Sequence, residues 1–349
     1  MRSTRPKPLH LLCGRAMVLY VLDALGESAV DKAVVVVGHG ADLVTKKLQE
    51  EAADLTLDFV EQHVQRGTGD AVSVGLTVFP DDDLDDGDVL VLPGDTPLLR
   101  ASTIARLVQE HRLSGAACTV LTAHSDDPTG YGRIVRGKDG NVVRVVEERD
   151  ATPDERAITE WNTSIYCFRR SVLAPALRRL TPENDQGEYY LTDIVEVLHD
   201  AGYPIVAVEV DDEDEAQGVN DRRQLARAEA ELRRRTNERW LDLGVTMLDP
   251  ERTYIDATVR LAPDVTLFPD TLLQGSTVVA EGAEIGPNTR LVDCTVGAHA
   301  VVEATVGRDA DIGERCVVGP FAVLQPGAHV PPGTRSGPFY TASGEDDSS

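Results

Sequence analysis

Val89-Leu90-Val91-Leu92-Pro93-Gly94-Asp95-Thr96-Pro97-Leu98-Leu99 is the stretch around which the chain is organised. Four apolar residues run without alternation, the pattern of a strand buried on both faces of a parallel sheet. The chain then turns at Pro93-Gly94 and sets one carboxylate, Asp95, at the strand's carboxyl end. Ligands of open α/β sheets bind in the crevice at that end. Asp95 reads there either as a metal ligand beside a nucleotide's phosphates or as a turn residue satisfying nearby backbone N–H groups.

On the N-terminal side, apolar spacing predicts a helix over 16–25 ending at Gly26, a buried strand over 33–38 and a helix over 41–50. A strand over 55–60 follows, then a Gly-rich turn, Gly67-Thr68-Gly69, leading into an apolar helix over 71–78. Pro6-Lys7-Pro8-Leu9 reads as an extended loop, because a residue before proline is pushed toward β or PPII geometry. On the C-terminal side come a helix over 102–113 and a strand over 116–122. Strand–helix alternation of this kind predicts a doubly wound parallel sheet. Lys138-Asp139-Gly140-Asn141 marks a hairpin turn, and strands are predicted over 142–147, 161–168 and 205–210, with helices over 171–180 and 191–201. After Gly218-Val219-Asn220-Asp221, a helix rich in Arg and Glu runs to about Trp240 and reads as a linker rather than core.

Past Leu248 the period changes. Ile255, Leu261, Leu267, Leu273, Val279, Ile285 and Leu291 stand six apart without a break; Val296 and Val302 follow after a slip, then Val306, Ile312, Val318, Leu324 and Val330. Period six belongs to a parallel β-helix of hexapeptide repeats, in which the aliphatic residue points inward. Gly286-Pro287-Asn288, Gly313 and Gly319-Pro320 supply corners. The expected layout is a first domain over 1–222, a linker helix over 223–248, a β-helix over 249–335 and a polar tail over 336–349.

The formal net charge of −25 argues against general binding to nucleic acid or to an anionic membrane. Asp81-Asp82-Asp83-Leu84-Asp85-Asp86 and Asp211-Asp212-Glu213-Asp214-Glu215 read as solvated loops. The cysteines, Cys13, Cys118, Cys167, Cys294 and Cys316, are scattered and odd in number, which fits a reducing compartment without a disulfide framework or zinc site. No apolar run approaches the roughly 20 residues of a membrane span. The N-terminus lacks the apolar core of a signal peptide. The cytoplasm is therefore the expected location.

Several short motifs follow one another: Pro6-Lys7-x-Leu9-His10, Gln62 with Gly67-Thr68-Gly69, Gly94-Asp95-x-Pro97-Leu98, Gly130-Tyr131-Gly132-Arg133, Glu147, Asn162-Thr163, Glu188-Tyr189-Tyr190-Leu191-Thr192-Asp193 and Gly218-Val219-Asn220. Singly, each suits a structural role. In this order, with a six-residue repeat behind them, they resemble the bifunctional N-acetylglucosamine-1-phosphate uridyltransferase/glucosamine-1-phosphate acetyltransferase family. The resemblance implies a Rossmann-like nucleotidyltransferase domain followed by a left-handed β-helix that packs as a homotrimer. It implies that Lys7 binds phosphate and that Gln62, Gly67 and Thr68 hold uridine. Asp95 and Asn220 would share Mg²⁺, and Gly132, Glu147 and Asn162 would contact the amino sugar. The implied reaction joins UTP and N-acetylglucosamine-1-phosphate, with pyrophosphate leaving.

The chain departs from that family in two places. Family members open with a strand and a loop of the type Leu-Ala-Ala-Gly-x-Gly-Thr-Arg-Met, whereas here Met1-Arg2-Ser3 stands where that motif should be ending. The expectation is either a start upstream of Met1 or a chain that has lost its chemistry and acts as a nucleotide- and sugar-binding scaffold. A missing central strand would leave two unpaired edges. At the other end, Gln325-Pro326-Gly327 replaces an Arg-Pro-Gly, and Phe339-Tyr340-Thr341-Ala342-Ser343 lacks the family's lysine. Acetyl transfer is therefore not expected, and His299 and His329 are expected to face solvent. Ser164 stands where glycine is usual after Asn-Thr. A uridylyl- or thymidylyltransferase for another sugar-1-phosphate is the remaining alternative.

Overall fold

The computed structural model describes residues 1–28, 30–52, 55–79 and 87–344. The acidic run 81–86 and the end of the polar tail lie outside the described residues. Contacts divide the chain into two units, one of Met1–His10 with Met17–Gln224 and one of Leu11–Ala16 with Leu225–Ser349.

The first unit begins with a single 3₁₀ turn at Lys7–Leu9, not the extended loop expected from its prolines. The Leu9 N–H donates to the Pro6 carbonyl at 3.0 Å. Proline fixes only φ, at a value that a tight turn shares with extended chain. Two short strands, β1 (Leu11–Leu12) and β2 (Arg15–Ala16), form an antiparallel pair that belongs to the second unit. Helix α1 (Met17–Gly26) then leads to β3 (Ala33–Val37), α2 (Ala41–Glu51), β4 (Leu57–Glu61) and α3 (Thr68–Leu76). Next come β5 (Asp88–Val91), α4 (Ala101–Ser114), β6 (Cys118–His124) and the hairpin β7 (Arg133–Arg136) and β8 (Val142–Val146). The unit continues through α5 (Pro153–Arg156), β9 (Glu160–Arg169), α6 (Arg170–Leu177), α7 (Asp193–Asp200) and β10 (Ile205–Glu209).

The α/β alternation is present, but the pairing is mixed. β3 and β4 are parallel and form a sheet of two. β5 pairs antiparallel with β9, which also pairs antiparallel with β6 and β7, while β10 runs parallel to β6. The opening stretch is thus not a strand in a purely parallel sheet. Nor is it fully buried: Val89, Leu90 and Val91 are half-exposed, and so are Val34, Val35 and Val36 of β3. Among the described residues, no strand pairs with the second edge of β3 or of β5. Composition reports that both faces of a strand are covered; it does not report whether the edge is.

The second acidic run is solvated, as expected, except at its last residue. Residues Glu213–Ala216 form a 3₁₀ turn capped by the Asp212 carboxylate. Glu215 is 2% exposed, paired with Arg100 at 3.0 Å and receiving the Thr103 hydroxyl at 2.6 Å.

In the second unit, helix α8 (Arg222–Asp242) is more than a linker, since Trp240 packs in the β-helix core and the Asn237 amide caps the Pro250 and Thr253 carbonyls. The β-helix has three parallel sheets, each pairing residues one coil apart, such as Ile255 with Leu273 and Leu273 with Leu291. This is the arrangement of left-handed hexapeptide-repeat helices. The inward aliphatics are buried as the period requires, with one correction: Val306 is 53% exposed and Gly307 takes its inward place. A Cβ on Gly307 would lie 3.0 Å from Leu291 Cδ2 and 3.3 Å from Cys294 Sγ, so any side chain there would require those neighbours to give way. His299 and His329 are exposed, and all five cysteines are free and buried.

Candidate active site

Three side chains from distant parts of the chain converge beyond the carboxyl end of β5. The Lys7 ammonium contacts Asp95 Oδ2 and donates to Asn220 Oδ1 at 2.5 Å. The backbone makes this meeting. The Val219 N–H donates to the Asp95 carbonyl at 2.9 Å, which lays Gly218-Val219-Asn220 alongside the Pro93-Gly94 turn. Asp221 Oδ1 accepts from the Arg223 and Gln224 N–H groups at 2.8 Å and caps α8, so the Asn220 side chain is not used as the cap. Lys7 is presented by its 3₁₀ turn, and Pro6 seats against Gly40, where a Cβ would fall 2.7 Å from Pro6 Cγ.

A second group of residues surrounds Gly67. This glycine has φ +110° and ψ 176°, and a Cβ there would lie 2.6 Å from the Tyr189 carbonyl oxygen. The loop is clamped to the 188–191 segment: Tyr189 N–H donates to Arg66 O at 2.7 Å, Gly69 N–H to Tyr189 O at 2.8 Å, and Leu191 N–H to Thr68 Oγ1 at 3.0 Å. Gln62 braces the same loop, donating from Nε2 to Asp70 Oδ2 at 2.7 Å and to Gly67 O at 3.2 Å. A base edge would meet the Gln62 amide oxygen as acceptor and the backbone of the loop.

The clamp runs on into a third group. Thr192, next to Leu191, donates its hydroxyl to Glu147 Oε1 at 2.9 Å. Burial pushes the Glu147 carboxyl above its usual range, against the opposing effect of that hydrogen bond. Gly132 lies beside it: the Asn162 N–H donates to Gly132 O at 2.8 Å, and a Cβ on Gly132 would sit 3.3 Å from Val146 O and 3.6 Å from Asn162 Cβ. Asn162 is 2% exposed, and its Oδ1 accepts from the Ser164 N–H at 3.2 Å. Ser164 has φ +63°, the conformation that favours glycine. Buried Arg133, paired with Glu148 at 2.8 Å, holds the preceding loop.

All the residues singled out from sequence therefore fall into three groups, and one residue not assigned a role joins two of them. The Tyr131 hydroxyl lies by the Gly218 backbone, and its ring packs on Trp161 with centroids 4.2 Å apart. Burial raises its pKa above the usual phenol value. The signal was an aromatic between two glycines, where small neighbours let a ring lie flat. Asp193, beside Thr192, was also passed over; burial and then the Glu147 charge raise its pKa to about 6.

A nucleotidyl transferase family model matches residues 2–248. The chain belongs to the nucleotidyl transferase family. Among curated proteins of this kind, it is 44% identical over 297 residues to the bifunctional protein GlmU of Caldanaerobacter subterraneus subsp. tengcongensis, covering 85% of this chain and 63% of that protein. It is 45% identical over 309 residues to the bifunctional protein GlmU of Pelotomaculum thermopropionicum, covering 88% of this chain and 65% of that protein. The chain thus spans less than two thirds of the length of these relatives. A solved structure of a CMP:2-keto-3-deoxy-manno-octonic acid synthetase with CTP aligns at TM-score 0.49 and 20% identity, over 66% of this chain and 93% of that one.

For a nucleotidyl transferase, the Asp95–Asn220 pair suits a hard cation. Both atoms are oxygens, one anionic, and the Lys7 ammonium shows them aimed at one point of positive charge. One or two protein oxygens, completed by water and phosphate, are what Mg²⁺ usually takes. Elsewhere, among the described residues, no group of three His, Cys, Asp or Glu side chains is placed to hold a metal.

Proposed function

We propose that this chain transfers uridylyl from UTP to N-acetylglucosamine-1-phosphate, giving UDP-N-acetylglucosamine and pyrophosphate. The observation that carries the reading is the convergence of Lys7, Asp95 and Asn220 at the carboxyl end of β5, in a chain similar to GlmU proteins. Gln62, Gly67 and Thr68 would seat the uridine, and Gly132, Glu147 and Asn162 the N-acetyl sugar. The sugar-phosphate oxygen attacks the α-phosphorus and the bond to pyrophosphate breaks. No covalent intermediate is required; holding the two substrates in line and neutralising charge supply the rate. Lys7 contributes a positive charge to the phosphates as a point cation. Bound at Asp95 and Asn220, Mg²⁺ supplies further neutralisation of the phosphate oxygens. Glu147, half-buried and accepting the Thr192 hydroxyl, would accept a donor from the sugar.

We further propose a cytoplasmic homotrimer assembled through the β-helix, without acetyl transfer. Free, buried thiols support the location; no described helix is long and apolar enough to cross a membrane. Gln325, standing where the resemblance leads one to expect arginine, supports the last point. Pyrophosphate release from UTP, N-acetylglucosamine-1-phosphate and Mg²⁺ tests the main reading. Release needing all three, and falling at least about a hundredfold in Asp95→Asn, is the expected result. A second reading rests on the edges of β3 and β5 that are unpaired among the described residues: a chain that binds the same ligands without turnover. Saturable UTP binding with no release from any sugar-1-phosphate would select it.

A further inference from the structure

We propose that Lys7 is the resident cation of the Asp95–Asn220 oxygen pair, so that its ammonium and a divalent cation exclude one another there. The inference rests on the metal assignment made above. The Lys7 ammonium spends two of its three N–H donors on Asp95 Oδ2 and Asn220 Oδ1. These are the two atoms a divalent ion would use. Among the three side chains only Asp95 is anionic, so one carboxylate balances one ammonium. A divalent ion on the same oxygens would set three positive charges against one negative, at contact distance and partly out of water, where like charges repel most.

The main chain beneath Lys7 favours exchange of the side chain over movement of the loop. Lys7 sits in a closed 3₁₀ turn between Pro6, packed on Gly40, and Pro8. Its stem has four rotatable carbons and keeps its freedom. Entry of the metal therefore turns the ammonium out of the pair without shifting the turn, and a nucleotide's phosphates are the next anionic partner within its reach. Free metal binds weakly because it must displace Lys7, and nucleotide that captures the displaced ammonium strengthens metal binding. Such coupling is reciprocal.

The test uses the full chain without nucleotide, with Mn²⁺ as the probe, bound and free ion being separated by electron paramagnetic resonance. Lys7→Met should tighten Mn²⁺ binding by about tenfold or more, and Lys7→Arg should leave it within about threefold of the parent. Lys7→Met combined with Asp95→Asn should lose the site. Independently of any variant, amine acetylation read by mass spectrometry should be slow at Lys7 and rise several-fold with saturating Mg²⁺, with exposed Lys46 as an unchanged control. Equal Mn²⁺ affinity in the parent and Lys7→Met, with binding lost in Asp95→Asn, overturns the resident-cation role while the metal site stands. Absence of Mn²⁺ binding from both the parent and Lys7→Met overturns the metal assignment and the inference with it.

Discussion

Replacing Gly67 with alanine tests whether one loop carries both the base site and its link to the sugar site. With φ +110° and ψ 176°, Gly67 occupies a region that is nearly closed to residues with a Cβ, at a cost of about 1–3 kcal/mol. The added methyl would also sit 2.6 Å from Tyr189 O and 2.9 Å from Tyr189 N. Both atoms already bond the loop, through Gly69 N–H and Arg66 O. Pushing the 188–191 segment away loosens those two bonds and the one from Leu191 N–H to Thr68, each worth about 1 kcal/mol. The sum, roughly 4–6 kcal/mol, is a large part of the 5–15 kcal/mol that holds a typical domain. Urea denaturation should show it as a lower midpoint at an unchanged slope. Isothermal titration should show UTP affinity falling, and sugar-phosphate affinity falling with it, because Thr192 follows directly on the clamp and bonds Glu147. A loss below about 1 kcal/mol with both affinities intact would refute the reasoning.

Asp193→Asn should stabilise the chain more at pH 8 than at pH 4. The native carboxyl, raised to about 6, binds its proton more tightly than the unfolded one, so its contribution is full at acid pH and is lost as pH climbs toward 6. Discounted for partial exposure, the difference between the two pH values is about 1 kcal/mol, read from paired urea curves. Ser164→Gly should raise stability by about 0.5–1 kcal/mol, since the left-handed conformation then carries no Cβ, while the 164 N–H still orients Asn162. An unchanged or lowered urea midpoint would contradict it. Glu215→Gln should cost about 2 kcal/mol, because the buried acceptor of Arg100 and Thr103 loses its charge; a thermal midpoint within a degree of the parent would count against this.

What was legible in the sequence is what repeats or alternates. The six-residue period marks the inward position because each coil has the same length, and it fails at Val306 because the shortened coils there pass the inward place to Gly307. The strand ahead of Asp95 was legible as apolar backbone. Its antiparallel partner was not, since the Leu90–Cys167 pairing joins residues far apart in the chain. Glu215 was hidden for the same reason: a run of acids shows its charge, while its partners Arg100 and Thr103 lie more than a hundred residues earlier. The candidate site residues come from motif order, and that route omits Tyr131, whose proximity to Gly218 no spacing reveals.

Lys7, Asp95 and Asn220 tie the site to the least complete part of the sheet. Pro6 rests on Gly40, just past β3, and Lys7 reaches Asp95, just past β5. Two adjacent residues thus join the carboxyl ends of two strands whose second edges are unpaired among the described residues. Such edges have backbone hydrogen bonds left to make and half-exposed valines beside them. Packing holds the strands from the faces: Gly75 of α3 meets Val36, while Val72 and Leu76 of the same helix and Val89 and Val91 of β5 pack against one buried cluster. The Asp95 and Asn220 loops are held to each other by the bond from the Val219 N–H to the Asp95 carbonyl. Lys7 is fixed by a single turn and one proline contact. Lys7 is therefore the member of the trio at which a change in the order of β3 would first be felt.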